Sequence, residues 1–197
     1  VGAWLGDDKE INAKEVAALI ELVNQGYVDI AAVGNEVMYR GDLTEEELLE
    51  HIYNVKNSVK NVPVGYVDAY YEFTERPNIT EACDVILANC YPFWEGCNLD
   101  YSLLYMKDMY QRALRAGNGK KVIISETGWP NQGTNLEGAF PSEENAIKYF
   151  INTQKWSKED DIDIFFFSSF DESWKVGGEG DVGAYWGIWD KNEKLKF

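Results

Sequence analysis

The stretch YSLLYMKDMYQRALRAGNGKKVIISETGWP, residues 101–130, contains one complete unit of the fold that the sequence predicts. A helical pattern over 101–116 stops at the glycine-rich residues 117–119, and a short apolar run, Val122–Ser125, follows as a strand. A nearly continuous apolar run is typical of a strand that is buried on both faces of a parallel sheet. The stretch therefore predicts a helix followed by a buried strand, and Glu126 comes directly after that strand.

The same alternation of amphipathic helices and short apolar strands fills the whole chain. Strands separated by helices favour a parallel sheet that is covered on both faces. The predicted strands are Val1–Leu5 (the end of a strand), Ile30–Val33, Val64–Ala69, Val85–Ala88, Val122–Ser125 and Ile162–Ser168. The predicted helices are Asn12–Gln25, a segment that begins at the capping box of Thr44 and Glu47, Ile79–Ala82, Tyr101–Ala116 and Pro141–Lys155.

Chemically interesting residues follow strand after strand, which is how a (β/α)8 TIM-type barrel builds its active face. They are Glu36, Asp68, Tyr91, Glu126, Asp171 and Glu172. The sequence therefore predicts an α/β fold of the (β/α)8 TIM type. Only about six of the eight strands are found, and we expect roughly two βα units and most of a third strand to precede Val1. The chain is predicted to be one domain, residues 1–197, that lacks the first two βα units.

The charge balance of the 197 residues limits the possible partners. The chain carries 34 acidic and 18 basic residues, a formal net charge of −16. That field repels phosphate backbones, so nucleic acids and anionic membranes are not expected as partners, whereas a neutral or cationic substrate is compatible. No apolar run approaches the roughly 18 residues that cross a bilayer.

The cysteines and the histidine argue against metal and triad chemistry. Cys83, Cys90 and Cys97 are spaced by seven, and His51 is the single histidine. A zinc site needs more ligands at closer spacing, so no metal is predicted. Catalysis by Ser–His or Cys–His pairs would depend on His51 alone, which lies in a charged helical segment. Cys90 is expected to be buried, and a disulfide of Cys83 or Cys97 stays open.

Two glutamates have the position that glycoside chemistry requires. Glu36 and Glu126 each follow an apolar strand directly and are flanked by small residues. A retaining glycosidase needs one carboxyl as proton donor and one as nucleophile, about 5–5.5 Å apart. Structural charges at strand ends are the alternative that position alone leaves open.

Aromatic residues add to this interpretation, because sugar rings stack their C–H faces on aromatic faces. Most of them come just after strands or in the closing segment: Tyr91, Phe93, Trp94, Trp129, Trp174, Trp186 and Trp189. Trp94 and Trp129 are predicted to meet a ligand, whereas Trp156, which lies on a helix, is predicted to fill the core.

Four motifs occur in an order that resembles a known family. They are Val33-Gly34-Asn35-Glu36, Asn89-Cys90-Tyr91-Pro92-Phe93, Ser125-Glu126-Thr127-Gly128-Trp129-Pro130 and Phe170-Asp171-Glu172-Ser173-Trp174-Lys175. Together they resemble glycoside hydrolase family 17, the β-1,3-glucanase family, and the run over 179–187 is similar to its microbial branch. The resemblance implies a barrel enzyme that needs no metal and no other cofactor.

The resemblance also implies a role for each matching residue. Glu36 would be the general acid/base and Glu126 the nucleophile that forms a glycosyl-enzyme. Asn35 would bind the 2-hydroxyl of the attacked sugar, and Tyr91 would donate its hydroxyl to the nucleophile. The remaining residues predicted to bind or support substrate are Phe93, Trp129, Glu172 and Lys175.

We therefore expect a retaining hydrolase of β-1,3-glucan, with a β-glucan oligosaccharide or polysaccharide as its binding partner. A β-1,3-glucan transglycosylase with the same site, and an inactive glucan-binding fragment, are the alternatives. A retaining hydrolase of β-1,4-linked chains is a third alternative. The oligomeric state is left open, as is the location: extracellular, periplasmic or within a larger envelope protein.

Overall fold

The computed structural model describes residues 1–196, which contain six strands and seven α-helices. The strands are β1 (Gly2–Ala3), β2 (Ala31–Asn35), β3 (Val64–Ala69), β4 (Val85–Asn89), β5 (Lys121–Thr127) and β6 (Ile164–Phe166). The helices are α1 (Lys9–Asn24), α2 (Val37–Arg40), α3 (Glu45–Ser58), α4 (Glu72–Glu75), α5 (Pro77–Ala82), α6 (Leu99–Gly117) and α7 (Glu143–Asp160). A short 3-10 helix covers Asp181–Ala184.

The strands form one sheet in the order β1-β2-β3-β4-β5-β6. The pairs β1–β2, β2–β3, β3–β4 and β5–β6 are parallel, and helices connect successive strands. This is the order of six consecutive strands of a (β/α)8 barrel, so the predicted α/β class and incomplete TIM-type barrel are confirmed. The extent of the catalytic domain and the βα units expected before Val1 stay predictions.

The chain divides into two compact units. The first comprises Val1–Asn89 and Tyr110–Ile123, and the second comprises Cys90–Met109 with the described residues from Ile124 onward. In the first unit α3 begins at the predicted capping box, whereas α1 begins at Lys9, before the predicted start at Asn12. The Asp8 carboxylate accepts from the amides of Glu10 and Ile11, and the capping box of Thr44 and Glu47 is formed.

A bulge interrupts β2 at Gly34. The register between β2 and β3 shifts between Ala32 and Asn35, and Gly34 has a left-handed φ of +85°. A Cβ on Gly34 would lie 2.8 Å from the Cγ2 of Val37, so the position has room only for glycine. Bulges bend a strand and re-aim the side chains that follow. Here the following residues are Asn35 and Glu36.

An aromatic cluster forms the core of the second unit. The ring centre of Phe93 lies 5.3 Å from that of Trp129 and 5.5 Å from that of Trp186, both in edge-to-face geometry. Tyr149 of α7 lies 5.3 Å from Trp129. Trp156 is buried, as predicted for a core residue.

The structure also corrects some element predictions. It contains two short helices that the sequence did not reveal, α2 and α4, because a single turn carries no measurable periodicity. The last strand is shorter than the predicted Ile162–Ser168. All three cysteines are free thiols, so the disulfide that the sequence left open is not formed, and Cys90 is buried as expected. Within residues 1–196 no helix is both long enough and apolar enough to cross a membrane.

Replacing Gly34 by alanine is expected to lower the free energy of unfolding by about 3 kcal/mol. A left-handed backbone costs an L-residue about 1–2 kcal/mol, and the added methyl group overpacks against Val37 at a cost of about 1–3 kcal/mol. Gly26→Ala is the matched control, because Gly26 also has a left-handed φ but nothing lies within 4 Å of its Cβ position. Urea unfolding followed by circular dichroism measures both losses, and equal losses would contradict the role of the Val37 contact.

Candidate active site

Glu36 lies in the first unit at the carboxyl end of β2. Its backbone is left-handed, with a φ of 53°, and it is the N-cap residue of α2. The amide of Glu36 donates to the carbonyl of Val67 on β3 at 2.8 Å. The amide of Arg40 donates to the carbonyl of Glu36 at 2.9 Å. The backbone on both sides of Glu36 is therefore fixed by hydrogen bonds, and its side chain is half-buried.

Asn89, at the end of β4, joins two of the predicted site residues. Its Nδ2 donates to Oε1 of Glu36 at 3.0 Å and lies 3.4 Å from Oδ1 of Asn35. The structure thus brings Asn35, Glu36 and Asn89 together. Asn89 begins one of the four motifs, but the sequence indicated no role for it. Its position directly at a strand end was the signal that could have marked it.

A buried carboxylate contacts the first turn of α2. Asp68, at the carboxyl end of β3, is 0% exposed and accepts a hydrogen bond from the hydroxyl of Tyr66. Burial raises the pKa of the Asp68 carboxyl, and hydrogen bonds from Tyr66, Ala69 and Tyr39 oppose that rise. Burial also raises the pKa of Tyr66, and the charge of Asp68 adds to that rise. The Tyr66 hydroxyl therefore keeps its proton at neutral pH.

Glu126 lies in the second unit, near the carboxyl end of β5. The hydroxyl of Tyr91 donates to Oε2 of Glu126 at 2.8 Å, and the amide of Cys90 donates to the carbonyl of Glu126 at 2.9 Å. The Tyr91 ring is held edge-on by Trp186 at 5.4 Å and by Phe167 at 6.3 Å. The contact between Tyr91 and Glu126 is thus formed by a tyrosine whose ring is packed in place.

The predicted pair of Glu172 and Lys175 forms in the same unit. Nζ of Lys175 lies 3.3 Å from Oε2 of Glu172 and 3.6 Å from Oε1 of Glu179. The same ammonium group lies 4.3 Å from the centre of the Phe167 ring, a cation–π contact. Because Phe167 also contacts Tyr91, the charged pair is joined through one ring to the tyrosine that binds Glu126.

Burial separates the aromatic residues into two groups. Trp129 is 1% exposed and its indole N–H donates to the carbonyl of Phe140, and Phe93 is buried as well. These positions do not favour sugar contacts by Phe93 and Trp129, which stay predictions. Trp94 is 39% exposed and keeps one part of its ring accessible.

Sequence reasoning missed one exposed tryptophan, Trp4. It follows β1 directly in the first unit and is 57% exposed. The guanidinium of Arg40 lies over its ring at 4.8 Å and is itself held by the carbonyls of Leu5 and Asn35. The predicted strand Val1–Leu5 included Trp4, so the rule that found the glutamates did not apply to it; the structure ends β1 at Ala3. Across residues 1–196, His, Cys, Asp and Glu side chains form no group of three or more that could hold a metal ion.

Comparison with known proteins relates these residues to one family. A family model described as the BtgE/BtgC glycoside hydrolase domain matches residues 1–187. A glucan 1,3-beta-glucosidase of Saccharomyces cerevisiae is 29% identical over 100% of this chain and 70% of its own length. A glucan 1,3-beta-glucosidase of Candida albicans is 30% identical, with 100% and 71% covered.

Solved structures give the same relationship. The glycoside hydrolase family 17 beta-1,3-glucanosyltransferase of Rhizomucor miehei superimposes with a TM-score of 0.88 at 32% identity, over 98% of this chain and 72% of that chain. An endo-laminarinase from Formosa, at 18% identity and a TM-score of 0.77, shares the fold. As its four ordered motifs predicted, the chain belongs to glycoside hydrolase family 17, in the group that the BtgE/BtgC glycoside hydrolase domain describes.

Proposed function

We propose that this glycoside hydrolase cleaves β-1,3-glucan with retention of configuration, with Glu126 as nucleophile and Glu36 as general acid/base. The observation that carries the proposal is the hydrogen bond from the Tyr91 hydroxyl to Oε2 of Glu126, 2.8 Å long. A hydroxyl that donates to a carboxylate stabilises its charged form and orients it. A nucleophile of this kind needs both, because it must be ionised and aimed at the anomeric carbon.

In the first step the carboxylate of Glu126 forms a bond to the anomeric carbon, and the glycosidic C–O bond breaks. The Glu36 carboxyl gives its proton to the leaving oxygen at the same time, so the leaving sugar departs as a neutral alcohol. The Asn89 amide, which donates to Oε1 of Glu36, orients that carboxyl. In the second step Glu36 takes a proton from the incoming water, whose oxygen displaces Glu126.

Asn35 is proposed to bind the 2-hydroxyl of the attacked sugar. Its Oδ1 faces the Asn89 amide, so its own Nδ2 is the group that remains to donate to a sugar oxygen. A donor in this position strengthens its hydrogen bond as the oxocarbenium-like transition state develops.

The proposed substrate rests on the relatives. The names of the curated yeast relatives specify glucan 1,3-beta-glucosidase, and an active-site mutant of the Rhizomucor miehei enzyme, 31% identical, was solved with laminaritriose. A neutral glucan also suits a chain with a net charge of −16, because it suffers no electrostatic repulsion.

Transfer of the glycosyl group to a second sugar is the second candidate function. The solved Rhizomucor miehei relative is named a beta-1,3-glucanosyltransferase. Hydrolysis and transfer share the glycosyl-enzyme and differ only in whether water or a sugar hydroxyl attacks it.

Glu126→Gln is expected to abolish release of reducing sugar from laminari-oligosaccharides, because an amide cannot form the glycosyl ester. Glu36→Gln is expected to lower kcat by about 10²–10⁴-fold, the usual contribution of a general acid/base. A 2-deoxy-2-fluoro glucoside should label wild-type Glu126 covalently, which mass spectrometry of the digested peptide locates.

Glu143→Gln is the matched control, since Glu143 is exposed in the first turn of α7. Unchanged turnover by Glu126→Gln would refute the nucleophile. Binding of laminarin without any turnover by the wild type would favour the inactive glucan-binding alternative. Cleavage of cellulose oligosaccharides in place of laminari-oligosaccharides would refute the proposed substrate.

Trp4→Ala is expected to raise KM for laminari-oligosaccharides about five- to tenfold, which corresponds to the loss of one ring contact of about 1 kcal/mol. Tyr27→Ala is the control, because Tyr27 is also exposed but precedes β2 and so lies away from the carboxyl ends of the strands. Steady-state kinetics separates KM from kcat. Equal effects of the two substitutions would remove Trp4 from the substrate-binding surface.

Product analysis at rising donor concentration tests the second candidate function. Laminaripentaose at low concentration is expected to give only shorter products, whereas high concentrations are expected to give longer products as well. The reason is that a sugar acceptor competes with water for the glycosyl-enzyme in proportion to its concentration. Absence of longer products at every concentration would rule out transfer.

A further inference from the structure

We propose that Asp68 caps helix α2 in place of Glu36, and that this keeps the Glu36 carboxyl available for proton transfer. The inference rests on the proposed role of Glu36 as general acid/base and concerns how that side chain is kept in position. Asp68 is thus a positioning residue, since it contacts the backbone next to Glu36 and not the substrate.

The start of α2 lacks the usual cap. A helix leaves its first amides without intrahelical acceptors, and the side chain of the N-cap residue normally accepts from the N2 or N3 amide. Helices α1, α3 and α7 follow this rule with Asp8, Thr44 and Ser142. The N-cap residue of α2 is Glu36, and its side chain makes no capping hydrogen bond.

Asp68 of the neighbouring strand supplies the missing acceptor. Its Oδ2 accepts from the amide of Met38 at 3.2 Å and from the amide of Tyr39 at 3.3 Å, which are the N2 and N3 positions of α2. The strand register brings it there, because Asn35 pairs with Val67 and Asp68 comes next. The bulge at Gly34 and the cap from β3 therefore act on the same turn of backbone.

The hydrogen-bond pattern identifies Asp68 as an acceptor in every contact. The amide of Ala69 donates to Oδ1 at 2.7 Å. The Tyr66 hydroxyl oxygen accepts from the Met38 amide at 2.9 Å, so its hydrogen is directed to Asp68. Four donors around one buried carboxyl favour the carboxylate, although burial alone favours the acid.

The role of this cap can be inferred from the backbone amides that would lose an acceptor if Asp68 were removed. Without Asp68 the amide of Tyr39 loses its side-chain acceptor, and the amide of Met38 keeps only the Tyr66 hydroxyl. Glu36 occupies the N-cap position, from which a side chain accepts such amides in an ordinary helix. A Glu36 carboxylate that turned to these amides would leave Asn89 and would no longer be held toward the leaving oxygen. Asp68 therefore prevents the acid/base from capping its own helix.

The test uses the full chain with Asp68→Ala and two readouts. Amide hydrogen exchange by NMR should show at least tenfold faster exchange at Met38 or Tyr39. Kinetics should show a selective loss: kcat/KM for an aryl laminaribioside with a poor leaving group falls about 10²-fold. The 2,4-dinitrophenyl glycoside needs no proton from Glu36, so its kcat/KM should fall less than about threefold on the same grounds.

Asp84→Ala is the matched control. Asp84 also accepts a backbone amide of β3, that of Val64 at 3.0 Å, but at the opposite end of the strand. It is expected to leave the ratio of the two kcat/KM values unchanged. A general folding defect would lower both values together.

The outcomes separate this inference from the proposed function. Unchanged exchange at Met38 and Tyr39 in Asp68→Ala overturns the cap whether or not the wild type turns over. Equal losses on both glycosides overturn the positioning role. If the wild type cleaves neither glycoside, the proposed function fails and the exchange data alone decide the cap. If Asp68→Ala does not fold, Asp68→Val, which fills the site on the strand but has no acceptor, is judged by the same selective loss, and an equal loss or no loss overturns the role.

Discussion

The turn of backbone from Gly34 to Glu36 is the constraint on which the first unit depends. A bulge with a left-handed glycine ends the regular pairing of β2, and a left-handed Glu36 follows two residues later. Left-handed conformations are costly for side chains other than glycine and persist only where the surroundings fix them. Here the hydrogen bonds from Glu36 to Val67 and from Arg40 to Glu36 fix both sides of the turn.

Two polar side chains next to this turn, those of Asp68 and Tyr66, are buried, and burying a polar group is costly unless it is hydrogen-bonded. The Asp68 carboxylate is satisfied because its hydrogen-bond partners are all donors: the Tyr66 hydroxyl and the amides of Met38, Tyr39 and Ala69. Networks of this kind hold one arrangement, because breaking any contact leaves a buried charge short of a partner. The backbone at the carboxyl end of β2 is therefore held by a side chain of the neighbouring strand β3 and not by a side-chain cap from α2 itself.

In the second unit, aromatic packing positions the residue that contacts Glu126. Glu126 is approached by one tyrosine hydroxyl, and the tyrosine is held by packing against Trp186 and Phe167. The ammonium group of Lys175 pairs with Glu172 and Glu179 and lies over the same Phe167 ring. Trp129 is buried and packs against Phe93 and Tyr149.

The sequence by itself determined the βα alternation, the strand ends and the family, because buried parallel strands are short apolar runs and the motifs follow them directly. Glu36 and Glu126 were therefore found from position and motif together. Tertiary structure alone decided which residues hold them. The bulge at Gly34, the bond from Asn89 and the cap from Asp68 join residues far apart in the chain, through strand register. Tertiary packing also buries Trp129 and leaves Trp4 exposed. A sequence pattern indicates where a strand ends, but it does not show which aromatic ring the folded chain buries.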